Sequence, residues 1–157
     1  MRFFAAASLL ACLAVVALGC GDKDDSTPVA CLEGAAAYEK ALADAPGEVL
    51  LGEETPISEC LVRNQSTGDL TRVGEAMIEV ATELNSGARV EPGGPANLQL
   101  GYLIGAAARG AEESEGIHTD LVRRLTVAAR FAPGKEPLSQ EFLRTYREGF
   151  DAGRSGG

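Results

Sequence analysis

The residues able to do chemistry are few and scattered. His118 is the only histidine in the 157-residue chain. Nucleophilic catalysis needs a base held beside the nucleophile, and His118 stands at a predicted helix start, where an exposed polar side chain is ordinary. Paired carboxylates can perform general acid–base work, and the stretch Glu112–Glu115, "EESE", supplies the acids. These crowd the C-terminal end of a predicted helix, the unfavourable end for negative charge. A solvated terminus or a weak cation site accounts for them better than a catalytic dyad. Asp22, Asp24 and Asp25 lack the spacing and turn glycine of a calcium loop. "EPGGP" at 91–95 has no lysine and follows no predicted strand, so it reads as a loop. Arg144, Arg147 and Arg154 could bind an acidic partner, but such residues more often form the wet side of an amphipathic helix. No catalytic, cofactor-binding or metal site is assigned.

The cysteines say more. Arg2 is the only charge before Asp22, and the intervening run is almost wholly apolar. A short basic start, an apolar core and small residues before a cleavage point make a secretory leader. The residues behind the run, "GDKDDST", are mostly acidic, unlike the basic cytoplasmic flank of a stop-transfer segment. Ala17-Leu18-Gly19-Cys20 resembles the lipobox of bacterial lipoproteins, with Ala17 where that class more often has leucine. The resemblance covers the first twenty or so residues. It implies that the bond before Cys20 is cut and that Cys20 is acylated. Two acyl chains hold a bilayer stably where one does not, so the expectation is anchoring without spanning. Residues 1–19 are then a removed signal peptide, 20–27 a lipidated polar tether, and 28–157 a single domain.

Cys12 leaves with the leader and Cys20 carries lipid, so Cys31 and Cys60 remain. An even remainder in an exported domain points to a disulfide. Closing a loop of that length would stabilise the fold by roughly 3.5 kcal/mol on the chain-entropy model. A zinc pair would need further soft or imidazole ligands, and only His118 is on offer. Free thiols are the third option.

The formal net charge is −9, and loss of Arg2 makes the remainder more acidic still. Such a chain is repelled by nucleic acid and by anionic headgroups. The imbalance is uneven: residues 20–116 hold 6 basic and 18 acidic side chains, residues 117–157 hold 7 and 5. Tryptophan is absent and aromatics make up 5%. That suits thin, closely packed helices better than a β-sandwich.

The elements follow from spacing and punctuation. Thr27-Pro28 opens a helix with Cys31, Ala35, Tyr38 and Leu42 inward, ended by Pro46-Gly47. Val49, Leu50 and Leu51 form a strand stub or, better, a core plug. Thr55-Pro56 opens a short helix carrying Cys60. Leu70, Val73, Met77, Val80 and Leu84 stripe a third helix, with "NSG" at 85–87 as its stop and "ARVEPGGPAN" as a loop. "LQLGYLIGAAARGAEE" is apolar nearly all round, the pattern of a helix at a bundle's centre. It is too short and too interrupted to span a bilayer. A fifth helix follows Thr119, with Leu121, Leu125 and Ala128 inward. A last one starts near Ser139.

"GYLIG" at 101–105 and "GFDAG" at 149–153 each place two glycines four apart on one helix face. Gly101, Gly105, Gly149 and Gly153 are thus predicted packing notches where another backbone approaches closely.

The chain reads as an all-α bundle of five or six helices, held at Cys20 on the outer side of a bacterial cytoplasmic membrane, periplasm-facing, or at an outer membrane. The expected function is non-enzymatic binding of an envelope protein or small ligand, with no cofactor and no nucleic-acid partner. The alternatives are a cell-envelope hydrolase using paired carboxylates and a structural spacer. An apolar groove would favour binding, and a cleft gathering buried acids would favour the enzyme.

Overall fold

Glycine and proline divide the chain before any tertiary contact forms, though not always where periodicity suggests. The computed structural model describes residues 26–157. The expected leader (1–19), Cys20 and Asp22, Asp24 and Asp25 lie outside the described residues. Among the described residues, five α-helices, two short 3-10 helices and one two-residue ladder make an all-α fold. None of these helices is long and apolar enough to cross a membrane.

The first predicted helix is two pieces. A 3-10 helix, Val29–Leu32, is separated from α1 (Ala35–Leu42) by Gly34, whose φ of 90° suits glycine alone. The Tyr38 hydroxyl donates to the Cys31 carbonyl oxygen at 3.0 Å and ties the pieces together. Burial pushes the Tyr38 phenol well above its ordinary pKa. Val49 and Leu51 plug the core as expected. The stub Leu50–Leu51 (β1) also finds a partner in Thr55–Pro56 (β2), antiparallel, with Leu50 opposite Pro56. Thr55-Pro56 is therefore a strand first, and the 3-10 helix Ile57–Cys60 follows it directly. Cys60 is bonded to Cys31, with Sγ–Sγ 2.02 Å and Cα–Cα 5.5 Å. The disulfide option holds, and the pair is not available to metal.

Helix α2 (Thr67–Val90) starts where the Ser66 hydroxyl accepts the Asp69 amide at 3.1 Å. It runs through Asn85-Ser86-Gly87 without stopping. Asn85 is buried and its amide donates to the Phe131 carbonyl at 2.8 Å, while Ser86 donates back to Thr82. A tertiary partner thus occupies Asn85, and Ser86 bonds back within the helix, so neither side chain stops it. The loop shrinks to residues 91–94, and Pro95 takes the first position of α3 (Pro95–Glu113).

Every residue from Leu100 to Ala107 is buried, because α2, α4 and α5 surround α3. The last two helices are α4 (Thr119–Arg130) and α5 (Gln140–Gly156). Leu121, Leu125 and Ala129 make the buried stripe of α4; Ala128, expected inward, lies half-buried on its flank. Ser139 caps α5 by accepting the Phe142 amide at 3.0 Å.

The four predicted notches form one contact. "GYLIG" packs directly on "GFDAG". A Cβ on Gly101 would collide with the Tyr146 carbonyl and lie 2.9 Å from the Phe150 nitrogen. One on Gly149 would collide with the Leu98 carbonyl and lie 3.0 Å from the Tyr102 nitrogen. Gly105 meets Phe150 and Arg154 as Gly153 meets Tyr102 and Ala106. The correspondence is reciprocal, with each glycine facing the equivalent atoms of the other helix. It requires α3 and α5 to run in the same direction. Backbones this close replace side-chain packing by direct contact and suit weak Cα–H···O bonds. With α5 locked there, α4 is left between two open flanks.

Candidate functional site: the α2–α4 groove

The residues singled out for chemistry do not converge. Among the acids at the end of α3, each glutamate has an arginine. Glu112 is gripped by both terminal nitrogens of Arg154 at 2.9 and 2.8 Å, Glu113 lies 2.9 Å from Arg109, and Glu115 lies 3.1 Å from Arg63. Arg109 also donates to the Ser155 carbonyl at 3.1 Å. These pairs fasten α5 and the 61–66 segment to the end of α3. Arg154 is a tie between helices, whereas Arg144 and Arg147 are on the wet side of α5.

His118 is not exposed as its helix-start position suggests. It is 2% exposed, and its Nε2 lies 2.9 Å from the Val62 carbonyl oxygen. A carbonyl can only accept, so Nε2 donates. Nδ1 is buried without a partner. No nucleophile is hydrogen-bonded to the ring, and its described role is to fasten the start of α4 to the segment behind the disulfide.

What the fold does assemble is a groove between α2 and α4. These helices run in the same direction, and their C-terminal ends meet. Arg89 donates from its guanidinium to the Arg130 and Phe131 carbonyls at 3.1 and 3.4 Å and to Asn85 Oδ1 at 3.3 Å. It also lies 5.4 Å from the centre of the Phe142 ring. Arg89 therefore closes one end of the groove and caps the last carbonyls of α4.

The groove encloses about 770 Å³. Ile78 on α2 and Val127, Ala128 and Phe131 on or beyond α4 give it an apolar lining. Val127 is 64% and Phe131 61% exposed. Thr82 and Ser86 line the α2 wall, but their hydroxyls donate to Ile78 and Thr82 carbonyls at 2.7 and 3.1 Å. They present carbon more than hydroxyl. Arg123 and Arg124 stand on the rim, and no acid is among the lining residues. Arg123 is 2.6 Å from Asp120, one helical turn back. Its hydrogen bond, then its charge, holds the Asp120 carboxyl below the ordinary range. Both side chains are on the surface, where such a pair contributes little and exchanges freely.

Of the acids of α2, Glu79 and Glu83 face α1, while Glu75 lines, with Asp120 and Arg124, a small pocket at the start of α4. Glu39 on α1 meets Glu79 and Glu83, and its pKa is raised by desolvation first and then by Glu83. Across α4 lies a smaller groove of about 380 Å³ over Ile104, lined by Val122, Leu143, Tyr146 and Phe150 and bordered by Arg130 and Arg147. Burial raises the Tyr146 phenol there, and Arg130 opposes the shift.

Sequence reasoning missed the α2–α4 groove. Its signal was Val127, an apolar residue on a face otherwise occupied by Arg123, Arg124 and Arg130. Among the described residues, no three His, Cys, Asp or Glu side chains gather as a metal site would need. No protein-family model matches the chain, and comparison with curated proteins and with solved structures finds no significant match.

Proposed function

We infer that this is a bacterial envelope lipoprotein, anchored at Cys20 on the outer side of the membrane, whose helical domain binds a partner or ligand without catalysing a reaction. The observation that carries the binding half is the α2–α4 groove, with an apolar floor, a cationic rim and exposed Val127 and Phe131. Apolar concavities with a few placed polar groups are the usual form of ligand sites. The anchoring half rests on the lipobox-like end of the leader. The hydrolase reading has less support, since Glu112, Glu113 and Glu115 are each engaged by an arginine.

Two measurements test the reading. Metabolic labelling with a fatty acid should mark the parent protein and not Cys20→Ala; equal label in both removes the anchor. A photo-crosslinking amino acid at position 127 in intact cells should give a discrete adduct, while one at the exposed Val29, away from the groove, should not. Identical behaviour at both positions removes the binding role.

A further inference from the structure

We propose that the α2–α4 groove holds an anionic amphiphile, a single alkyl chain with a head of the fatty-acid carboxylate type. The proposal rests on the groove being a binding site and names what it takes.

The wall chemistry points to hydrocarbon. An extended peptide would bring backbone N–H and C=O groups that need partners when buried. The Thr82 and Ser86 hydroxyls already donate within their own helix, so the α2 wall has no hydroxyl proton to offer a peptide carbonyl. An alkyl chain requires none.

From Ile78 to Ser86, and from Arg123 to Phe131, each wall spans eight residue steps, about 12 Å at 1.5 Å per residue, a length that takes most of a medium alkyl chain.

Charge fixes the head. The charged residues lining the groove are all arginines, within a chain of net charge −9. Arg89 is committed to carbonyls of the α4 end. Among the described residues Arg124 makes no ion pair, though it shares a small pocket at the start of α4 with Glu75 and Asp120, and Arg123 has only an exposed partner in Asp120. The positive charge not committed to the α4 end is therefore at the end of the groove opposite Phe131. The carboxylate would meet Arg124 and Arg123, and the chain would lie toward Phe131.

The test is calorimetric titration of the protein with dodecanoate below its micelle concentration, beside dodecyl maltoside (same chain, uncharged head) and butyrate (same head, short chain). Saturable binding of dodecanoate alone is expected. Arg124→Glu should weaken it about tenfold or more, the loss of one charge-assisted hydrogen bond. Val127→Asp should abolish it, and Arg144→Glu on α5 should leave it within about twofold. Positions 124, 127 and 144 are all exposed, so these variants should fold. Dodecyl maltoside binding as tightly as dodecanoate, or Arg124→Glu binding like the parent, overturns the anionic head and leaves the binding role intact. A dimer in ultracentrifugation that Val127→Asp dissolves would mean that a second copy occupies the groove, and overturns the proposal. Absence of all binding, with no specific adduct at position 127, removes the binding role as well.

Discussion

Replacing Gly105 by alanine should destabilise a helix that intrinsic propensity says it should stabilise. Alanine is favoured over glycine by about 1 kcal/mol in an exposed helix interior. At Gly105 the added methyl would collide with the Phe150 carbonyl and lie 2.9 Å from its carbon and 3.0 Å from the Arg154 nitrogen. All of these are backbone atoms of α5, so no side chain can rotate away. The only relief is to lift α5 from α3, which loosens the contacts at Gly101, Gly149 and Gly153 together. Overpacking a tight contact costs typically 1–3 kcal/mol, occasionally more, and here it must exceed the propensity gain. We expect a net loss of about 1–2 kcal/mol for Gly105→Ala, and about 3 kcal/mol or more for Gly105→Leu. Gly68, exposed in the first turn of α2 with only Ser66 Oγ nearby at 3.9 Å, provides the contrast. Gly68→Ala should be neutral or stabilising by up to about 1 kcal/mol. Once Gly105→Ala has parted the helices, Gly153→Ala should cost less than it does alone, by about 0.5 kcal/mol or more. Urea unfolding followed by circular dichroism measures the four single variants and the double one. A Gly105→Ala protein as stable as its parent, or strict additivity with Gly153→Ala, would refute the backbone contact.

Other perturbations probe other links. Cys60→Ser should cost roughly 2–4 kcal/mol with little change in helix content, and mapping of unreduced peptides should show Cys31 joined to Cys60; free thiols at both would contradict the fold. Glu39→Gln should stabilise at neutral pH. A carboxyl raised in the folded state contributes stability below its unfolded pKa and loses it as pH rises through the folded value, so parent and variant should converge near pH 4. A variant whose advantage is the same at pH 4 and pH 7 would show that Glu83 and Glu79 do not act on Glu39.

Much of the fold was legible, for reasons that differ from element to element. The pairing of Cys31 with Cys60 followed from elimination once Cys12 and Cys20 were assigned to an expected leader and anchor. The centrality of α3 followed from apolar residues on all its faces, since only a helix packed on every side tolerates them. The glycines told that a backbone comes close, but not that the two motifs face each other. That depends on α3 and α5 running in the same direction, a tertiary fact. Local signals failed where a distant partner intervened. Asn85-Ser86-Gly87 resembles a helix stop until the Phe131 carbonyl takes up Asn85. Gly34 breaks a helix that spacing carries straight through. His118 looks exposed at a helix start until Val62 is placed above it. The groove was the least legible feature of all. Ile78 and Val127 belong to neither buried stripe, and they share a surface only because α2 and α4 lie side by side.

The most direct test of the account follows methyl groups by NMR. Ile78 and Val127 sit on opposite walls of the α2–α4 groove, Ile104 and Leu143 line the smaller one across α4, and Ile57 is in the core. Titration of methyl-labelled protein with dodecanoate should shift Ile78 and Val127 together and saturably, leaving Ile57, Ile104 and Leu143 in place. Shifts centred on Ile104 and Leu143, or none at any methyl, would contradict it.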